Sequence, residues 1–174
     1  PISLVGKFGF FLFINADLPA KNMTEFLAYV RANPGKVNYG SGNGTSILTT
    51  AQFAQKAKLD MVHVPYKGDA PATTDLIAGR IQVLLGTPGS ALQQVQEGRL
   101  RVLMTSLPNR SPLTPNTPTA EEVGIQGMTI VPWAGLYGPA GIPKEVVDRI
   151  ALAMKNVAAR KDVRDALGKI AFEV

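Results

Sequence analysis

One glycine-rich turn constrains the fold of this chain more than any other segment. It reads Val37-Asn38-Tyr39-Gly40-Ser41-Gly42-Asn43-Gly44-Thr45-Ser46. The apolar residues before it predict a short strand, and those after it predict a helix over Thr45–Lys58. Glycine lets a ligand approach main-chain N–H groups, and the first turn of a helix adds unpaired donors and partial positive charge. The turn therefore predicts a cradle for a small anion; a plain turn capped by Asn43 or Thr45 is the alternative.

Strands and helices alternate on both sides of this turn. The predicted elements are a strand Ser3–Ile14, a helix Met23–Ala32, the strand Val37–Gly40, the helix Thr45–Lys58, a strand Met61–Val64, a helix that Asp69 caps and Gly79 closes, a strand Ile81–Leu85, a helix Pro88–Glu97, a strand Arg101–Thr105, a strand Thr129–Tyr137, an amphipathic helix Lys144–Ala158, a shorter helix Asp162–Leu167 and a terminal strand Ile170–Val174. Alternation with near-continuous apolar strands predicts an α/β fold whose parallel sheet is covered by helices on both faces.

Composition excludes several classes of function. The chain has no Cys and a single His, which excludes disulfides, thiolate zinc sites, thiol catalysis and multi-histidine metal sites. Its net charge is +5, but the Lys and Arg residues are scattered and aromatic residues make up only 7%, so we expect no nucleic-acid partner. The longest apolar run, Phe8–Ile14, is too short to span a bilayer.

Catalytic and nucleotide-binding motifs do not fit the chain. A dinucleotide fingerprint needs a glycine where Thr45 stands, and a nucleophile elbow needs one where Tyr39 stands. His63 lies between Val62 and Val64 at an apolar strand end and is predicted to be a hydrogen-bonded structural histidine rather than a base. We therefore expect a binding protein that carries out no chemistry and needs no cofactor or metal.

Two further turns are predicted at the same edge of the sheet. They read Pro65-Tyr66-Lys67-Gly68-Asp69-Ala70-Pro71 and Gly86-Thr87-Pro88. Ligands of open α/β sheets gather at the carboxyl ends of the strands. We therefore expect the N–H groups near Gly68–Ala70 to grip a carboxylate together with the glycine-rich turn, and the Thr87 hydroxyl to add a donor. The alternative is that Asp69 is a plain N-cap.

Several motifs occur in the order that is typical of one family. They are Asn33-Pro34-Gly35-Lys36-Val37-Asn38-Tyr39-Gly40-Ser41-Gly42-Asn43-Gly44-Thr45-Ser46, His63-Val64-Pro65-Tyr66-Lys67-Gly68 with Ala70-Pro71, Asp75-Leu76-Ile77-Ala78-Gly79, Ser111-Pro112 with Pro118-Thr119, and Trp133-Ala134-Gly135-Leu136 with Pro139-Ala140-Gly141-Ile142-Pro143. With these motifs the chain resembles the Bug-type substrate-binding proteins of tripartite tricarboxylate transporters. The resemblance implies a periplasmic receptor that closes on a small carboxylate and delivers it to a membrane permease.

The resemblance also implies which residues bind the ligand. In that family, two strand–turn–helix loops hold one carboxylate with main-chain N–H groups and small side chains. Carried over by motif, these residues are Ser41, Gly42, Asn43, Gly44 and Thr45 in one loop and Gly68, Asp69 and Ala70 in the other. Members that bind amino acids often have an acidic residue where this chain has Gly86-Thr87, so we predict a ligand without an amino group.

The implied architecture is a periplasmic-binding-protein-like (type II) lobe with a parallel-rich sheet flanked by helices, plus part of a second lobe. We expect the ligand-binding lobe to span residues 16–127, and residues 1–15 and 128–174 to form crossover strands and the partial lobe. Because the family is longer at both ends, we expect a truncated chain without its signal peptide, which self-associates through the helix Lys144–Ala158. Two alternatives stay open: the effector-binding domain of a transcription regulator with this fold, and a phosphate- or nucleotide-handling enzyme domain.

Overall fold

A computed structural model describes residues 1–89, 91–128 and 130–173. Three of the predicted elements include Ser90, Thr129 or Val174, which lie outside the described residues. The strands are β1 Ser3–Phe8, β2 Phe11–Asn15, β3 Asn38–Ser41, β4 Val62–Pro65, β5 Val83–Gly86, β6 Leu100–Thr105, β7 Trp133–Leu136 and β8 Phe172–Glu173. The helices are α1 Met23–Ala32, α2 Gly44–Ala57, α3 Asp69–Ile77, α4 Ala91–Gln96, α5 Lys144–Ala159 and α6 Lys161–Gly168.

The chain divides into two compact units, each with its own sheet. Residues Phe10–Ile130 form a central unit, and Pro1–Gly9 with Val131–Val174 form a second unit. The central sheet has the strand order β4-β3-β5-β2-β6, and the sheet of the second unit has the order β7-β1-β8. The predicted α/β class is confirmed. The assignment of the units to the two lobes of a receptor stays a prediction.

The single strand predicted over Ser3–Ile14 is wrong. The segment forms two strands that belong to different sheets, β1 beside β7 and β8, and β2 between β5 and β6. β2 runs antiparallel to both of its neighbours, whereas β3 is parallel to β4 and β5, so the central sheet is mixed. A short apolar run buried on both sides has the same pattern in either direction, and only its neighbours decide how it pairs.

Local signals place the helices that cover the central sheet. α1 has the predicted bounds, and its N-cap Asn22 accepts a hydrogen bond from the Glu25 N–H at 2.9 Å. Phe26 of α1 stacks on Phe53 of α2 with ring centroids 6.5 Å apart, and both rings are fully buried. Burying a side chain of this size stabilises the fold by about 1.5–3 kcal/mol, so this contact holds the two helices together.

The parallel part of the central sheet positions the predicted site. β3 and β4 are in register, with Ser41 opposite Pro65, and β5 pairs with the other side of β3. Ser41, Pro65 and Gly86 are the last residues of their strands. The three turns predicted to bind a ligand therefore leave the sheet at one edge, and two of them lead directly into α2 and α3.

The second unit is less well packed. α5 has the amphipathic pattern predicted for Lys144–Ala158, yet none of its residues is buried. A cavity of about 520 Å³ lies among its apolar side chains, β1 and α6, with Leu4, Met154 and Leu167 in its lining. Self-association through this face stays a prediction. Within the described ranges, no helix combines the length and apolar character that crossing a membrane requires.

Candidate functional site

The turns before α2 and α3 touch each other at Gly42. A Cβ atom placed on Gly42 would lie 2.5 Å from the main-chain nitrogen of Asp69, and closer still to the Gly68 carbonyl carbon and to Asp69 Oδ1. Real side chains essentially never come so close to main-chain atoms, so this contact requires glycine at position 42. The structure thus brings together the two loops that the sequence predicts to act jointly.

The glycine-rich turn caps α2 through two side chains. Asn43 Oδ1 accepts a hydrogen bond from the Ser46 N–H at 2.9 Å. Ser46 Oγ in turn accepts from the Gly42 and Asn43 N–H groups, each at 3.1 Å, and completes a capping box. Two of the N–H groups assigned to a ligand are therefore used inside the turn. The sequence predicts Ser46 as a hydrogen-bonding residue of the turn but not as a capping partner, although its position three residues after Asn43 is the usual signal for that role.

The next two N–H groups of this turn remain available. In the described part of the chain, no hydrogen bond uses the N–H of Gly44 or Thr45, the first two residues of α2. Gly44 is exposed, and a Cβ atom placed on it would have no neighbour within 4 Å. These donors therefore lie in an accessible first turn, at the positive end of the α2 dipole.

Ser41, the last residue of β3, is buried beside the glycine-rich turn. It is only 1% exposed, and its hydroxyl lies 2.6 Å from His63 Nε2. The His63 ring also stacks on Tyr39, with centroids 5.0 Å apart, and burial raises the pKa of the Tyr39 phenol. The hydrogen bond predicted for His63 is confirmed, whereas its purely structural role stays a prediction. The sequence pattern did not identify Ser41 as its partner, although Tyr39 pairs with His63 in the parallel register of the sheet.

Asp69 is not the N-cap of α3. Gly68 holds that position with φ +119°, a backbone conformation that favours glycine, and no side chain caps the helix. Asp69 is the first residue of α3, and its carboxylate extends to the turn formed by Gly86, Thr87 and Pro88. Its Oδ2 accepts hydrogen bonds from the Thr87 N–H at 3.1 Å and from the Thr87 hydroxyl at 2.7 Å. The Thr87 hydroxyl, predicted to be a donor for the ligand, is thus already used.

The site consequently contains its own negative charge. Asp69 Oδ1 is buried beside Gly42, and among residues 1–89, 91–128 and 130–173 it has no hydrogen-bond donor. Its Oδ2 would lie 3.3 Å from a Cβ atom on Gly86, so the carboxylate fills the space between all three turns. Ala70, the next residue of α3, is exposed.

A polar cluster fixes the far side of the second turn. The Tyr66 hydroxyl donates a hydrogen bond to Asp75 Oδ2 at 2.8 Å, and Arg80 pairs with Asp75 Oδ1 at 2.7 Å. The hydrogen bonds from Arg80 and Tyr66 hold the pKa of Asp75 below its usual value, while burial and the Asp75 carboxylate raise the pKa of Tyr66. These contacts anchor the turn to α3. No group of three or more acidic or histidine side chains in the described residues is arranged to hold a metal ion.

Known proteins are similar to this chain in both sequence and fold. The family model described as the tripartite tricarboxylate transporter family receptor matches residues 1–174. The UPF0065 protein of the tcbD-tcbE intergenic region of Pseudomonas sp. (strain P51) is 35% identical over 176 residues, which cover 99% of this chain and 52% of that protein. The chain therefore spans about half the length of this curated relative.

Solved structures give the same result. The periplasmic binding protein BugD superposes with a TM-score of 0.92 at 26% identity, covering 100% of this chain and 59% of its own. MatC (Rpa3494) from Rhodopseudomonas palustris with bound malate has a TM-score of 0.91 at 26% identity, and the match covers 100% of this chain and 60% of the MatC chain. The periplasmic-binding-protein fold is thereby confirmed, and the chain belongs to the tripartite tricarboxylate transporter receptor family, the TctC family.

Proposed function

We propose that this chain forms the ligand-binding part of a solute receptor that binds a small organic carboxylate. The observation that carries the proposal is the contact of two helix N-termini at Gly42, beside the open N–H groups of Gly44 and Thr45. Such N–H groups and the positive ends of two helix dipoles favour an anion. Support also comes from MatC, a relative in fold and sequence whose structure contains malate.

The energetics suit a ligand of this size. A hydrogen bond to a charged group contributes about 1.5–3 kcal/mol, and micromolar affinity requires about 8 kcal/mol in all. The N–H groups of Gly44, Thr45 and Ala70 supply part of this, and further contacts come from the remainder of the full-length receptor. Ser41 and Thr87 act indirectly in this proposal, because His63 and Asp69 already bind their hydroxyl groups.

The receptor carries its ligand without changing it and delivers it to a membrane permease from the periplasm. Membership of the family supports this role.

The test is a thermal-shift screen of mono- and dicarboxylates, malate included, on the full-length protein, followed by calorimetry on Gly44→Val. Valine at this open position adds bulk over the N–H groups without a clash, so we expect an intact fold and at least about tenfold weaker binding, about 1.4 kcal/mol. Gly168→Val is the matched control, because Gly168 is another glycine with no neighbour for a Cβ atom. Binding of no carboxylate, or equal affinity in both variants, contradicts the proposal.

A further inference from the structure

We propose that Asp69 sets the charge preference of this site, favouring ligands with an ammonium group beside the carboxylate over the same acids without it. The inference rests on the proposed function and narrows its substrate class to amino-substituted carboxylates. It begins from the position of one side chain. Asp69 places its carboxylate in the space where the three turns meet, against Gly42 and Gly86 and hydrogen-bonded to Thr87.

The charge of Asp69 is only partly compensated. Oδ2 has two donors, both from Thr87, whereas Oδ1 is buried and has no donor among the described residues. No Lys or Arg in the part of the chain that the structure describes forms an ion pair with it. Lys67, two residues earlier, is exposed. The negative charge therefore acts on whatever binds next to it, and screening is weaker there than in open solvent.

A simple carboxylate at the open N–H groups experiences two opposing effects. The N-termini of α2 and α3 attract it, while the Asp69 carboxylate beside the same turns repels it. An ammonium group on the adjacent carbon of the ligand changes this balance, because the Asp69 carboxylate attracts a cation as it repels the ligand carboxylate. Asp69 thus penalises a pure anion and compensates a zwitterion, even without direct contact through Oδ1.

This geometry removes the basis for predicting a ligand without an amino group. That prediction depended on Gly86-Thr87, where no acidic residue occurs in the sequence. The structure brings an acidic residue to this turn from elsewhere: Asp69 Oδ2 lies 2.7 Å from the Thr87 hydroxyl. The turn is neutral in sequence but lies beside a carboxylate in the fold.

The test compares matched ligand pairs by calorimetry on the full-length protein. The pairs are aspartate with succinate, glutamate with glutarate, and alanine with propionate. In the wild type, the amino acid of the pair that binds best should bind more tightly than its partner without the amino group. Asp69→Asn keeps the shape and an acceptor for Thr87 but removes the charge, so the ratio of the two affinities should fall about tenfold or more.

Asp60→Asn is the matched control for the loss of one negative charge. Asp60 is exposed, and its main-chain oxygen accepts a hydrogen bond from Gly35, which precedes β3, so it lies near the opposite edge of the sheet. We expect this variant to keep the wild-type ratio. If Asp69→Asn does not fold, Asp69→Ser also removes the charge, and the same fall in the ratio is expected for it.

Each outcome has a separate meaning. An unchanged ratio in a folded Asp69→Asn protein, or a wild type that prefers the acid without the amino group, overturns this inference and leaves the carboxylate receptor standing. If no carboxylate of any kind binds the wild type, the proposed function fails and the inference fails with it. A ratio that falls for Asp69→Asn but not for Asp60→Asn supports both.

Discussion

The turns before α2 and α3 start from neighbouring parallel strands, but they stabilise their helix N-termini in opposite ways. The turn before α2 is self-sufficient, since Asn43 and Ser46 cap the helix with hydrogen bonds that span three residues. The turn before α3 has no side-chain cap, and Asp69 instead binds Thr87, eighteen residues further along the chain. One turn is held by its own sequence, and the other by Thr87, which follows β5 on the far side of β3.

The difference assigns different roles to the two turns. A locally capped turn keeps its shape wherever it is placed, which suits the presentation of open N–H groups at Gly44 and Thr45. A turn held by a distant partner depends on the packing of β5 against β3, and it brings a charge along. The first turn provides donors for a carboxylate, and in our proposals the second decides which carboxylate binds.

The largest effect is expected where the two turns touch. Gly42→Val would push a side chain into the main chain at Gly68 and Asp69, which cannot move without breaking the hydrogen bonds to Thr87. Overpacking costs about 1–3 kcal/mol, and a clash with main-chain atoms should reach or exceed the upper value. Urea unfolding of the full-length protein measures this loss, with Gly44→Val as the partner variant that should keep its stability. Equal stability of the two variants would show that the turns do not need this contact.

A smaller effect on stability should follow when one hydrogen bond between Thr87 and Asp69 is removed. Thr87→Val removes the hydroxyl that donates to Asp69 Oδ2 and leaves a partly buried charge with one donor fewer. We expect a loss of about 1.5–3 kcal/mol in the free energy of unfolding, because hydrogen bonds to charged groups have this size. The control is Thr74→Val, whose hydroxyl donates only to the Ala70 carbonyl oxygen of its own helix. If chemical denaturation gives the same free energy of unfolding for both variants, the hydrogen bond from Thr87 to Asp69 contributes little to stability.

The smallest effect concerns the local cap. Asn43→Ala should lower the free energy of unfolding by about 1 kcal/mol, the usual cost of losing an N-cap side chain. Asn22→Ala removes the equivalent cap of α1 and should cost a similar amount. Only Asn43→Ala should also weaken carboxylate binding, because only this cap orients a ligand turn. Calorimetric titration of both variants separates the two effects, and parallel losses of affinity would contradict the assigned role.

Much of the local structure around these turns can be predicted from residues that are close together in the sequence. Asn22 with Glu25 and the Asn33-Pro34-Gly35 stop predict α1 with its observed bounds, and the prediction for α2 differs by one residue at each end. The alternation of apolar strands and helices predicts the α/β class and places three turns at one sheet edge. These signals act within a few residues, so the sequence contains them in full.

What the sequence could not determine depends on partners that are distant along the chain. The Ser3–Ile14 run divides between two sheets, because β2 pairs with β5 and β6 far downstream. The contact of Ser41 with His63 and that of Asp69 with Thr87 span 22 and 18 residues, and no local pattern predicts them. The sequence by itself determined α1, α2, the side-chain caps of these two helices and the glycine-rich turn, because hydrogen bonds within three or four residues specify them. Only the tertiary structure decided where Asp69 places its charge, because that position depends on three strands ending side by side.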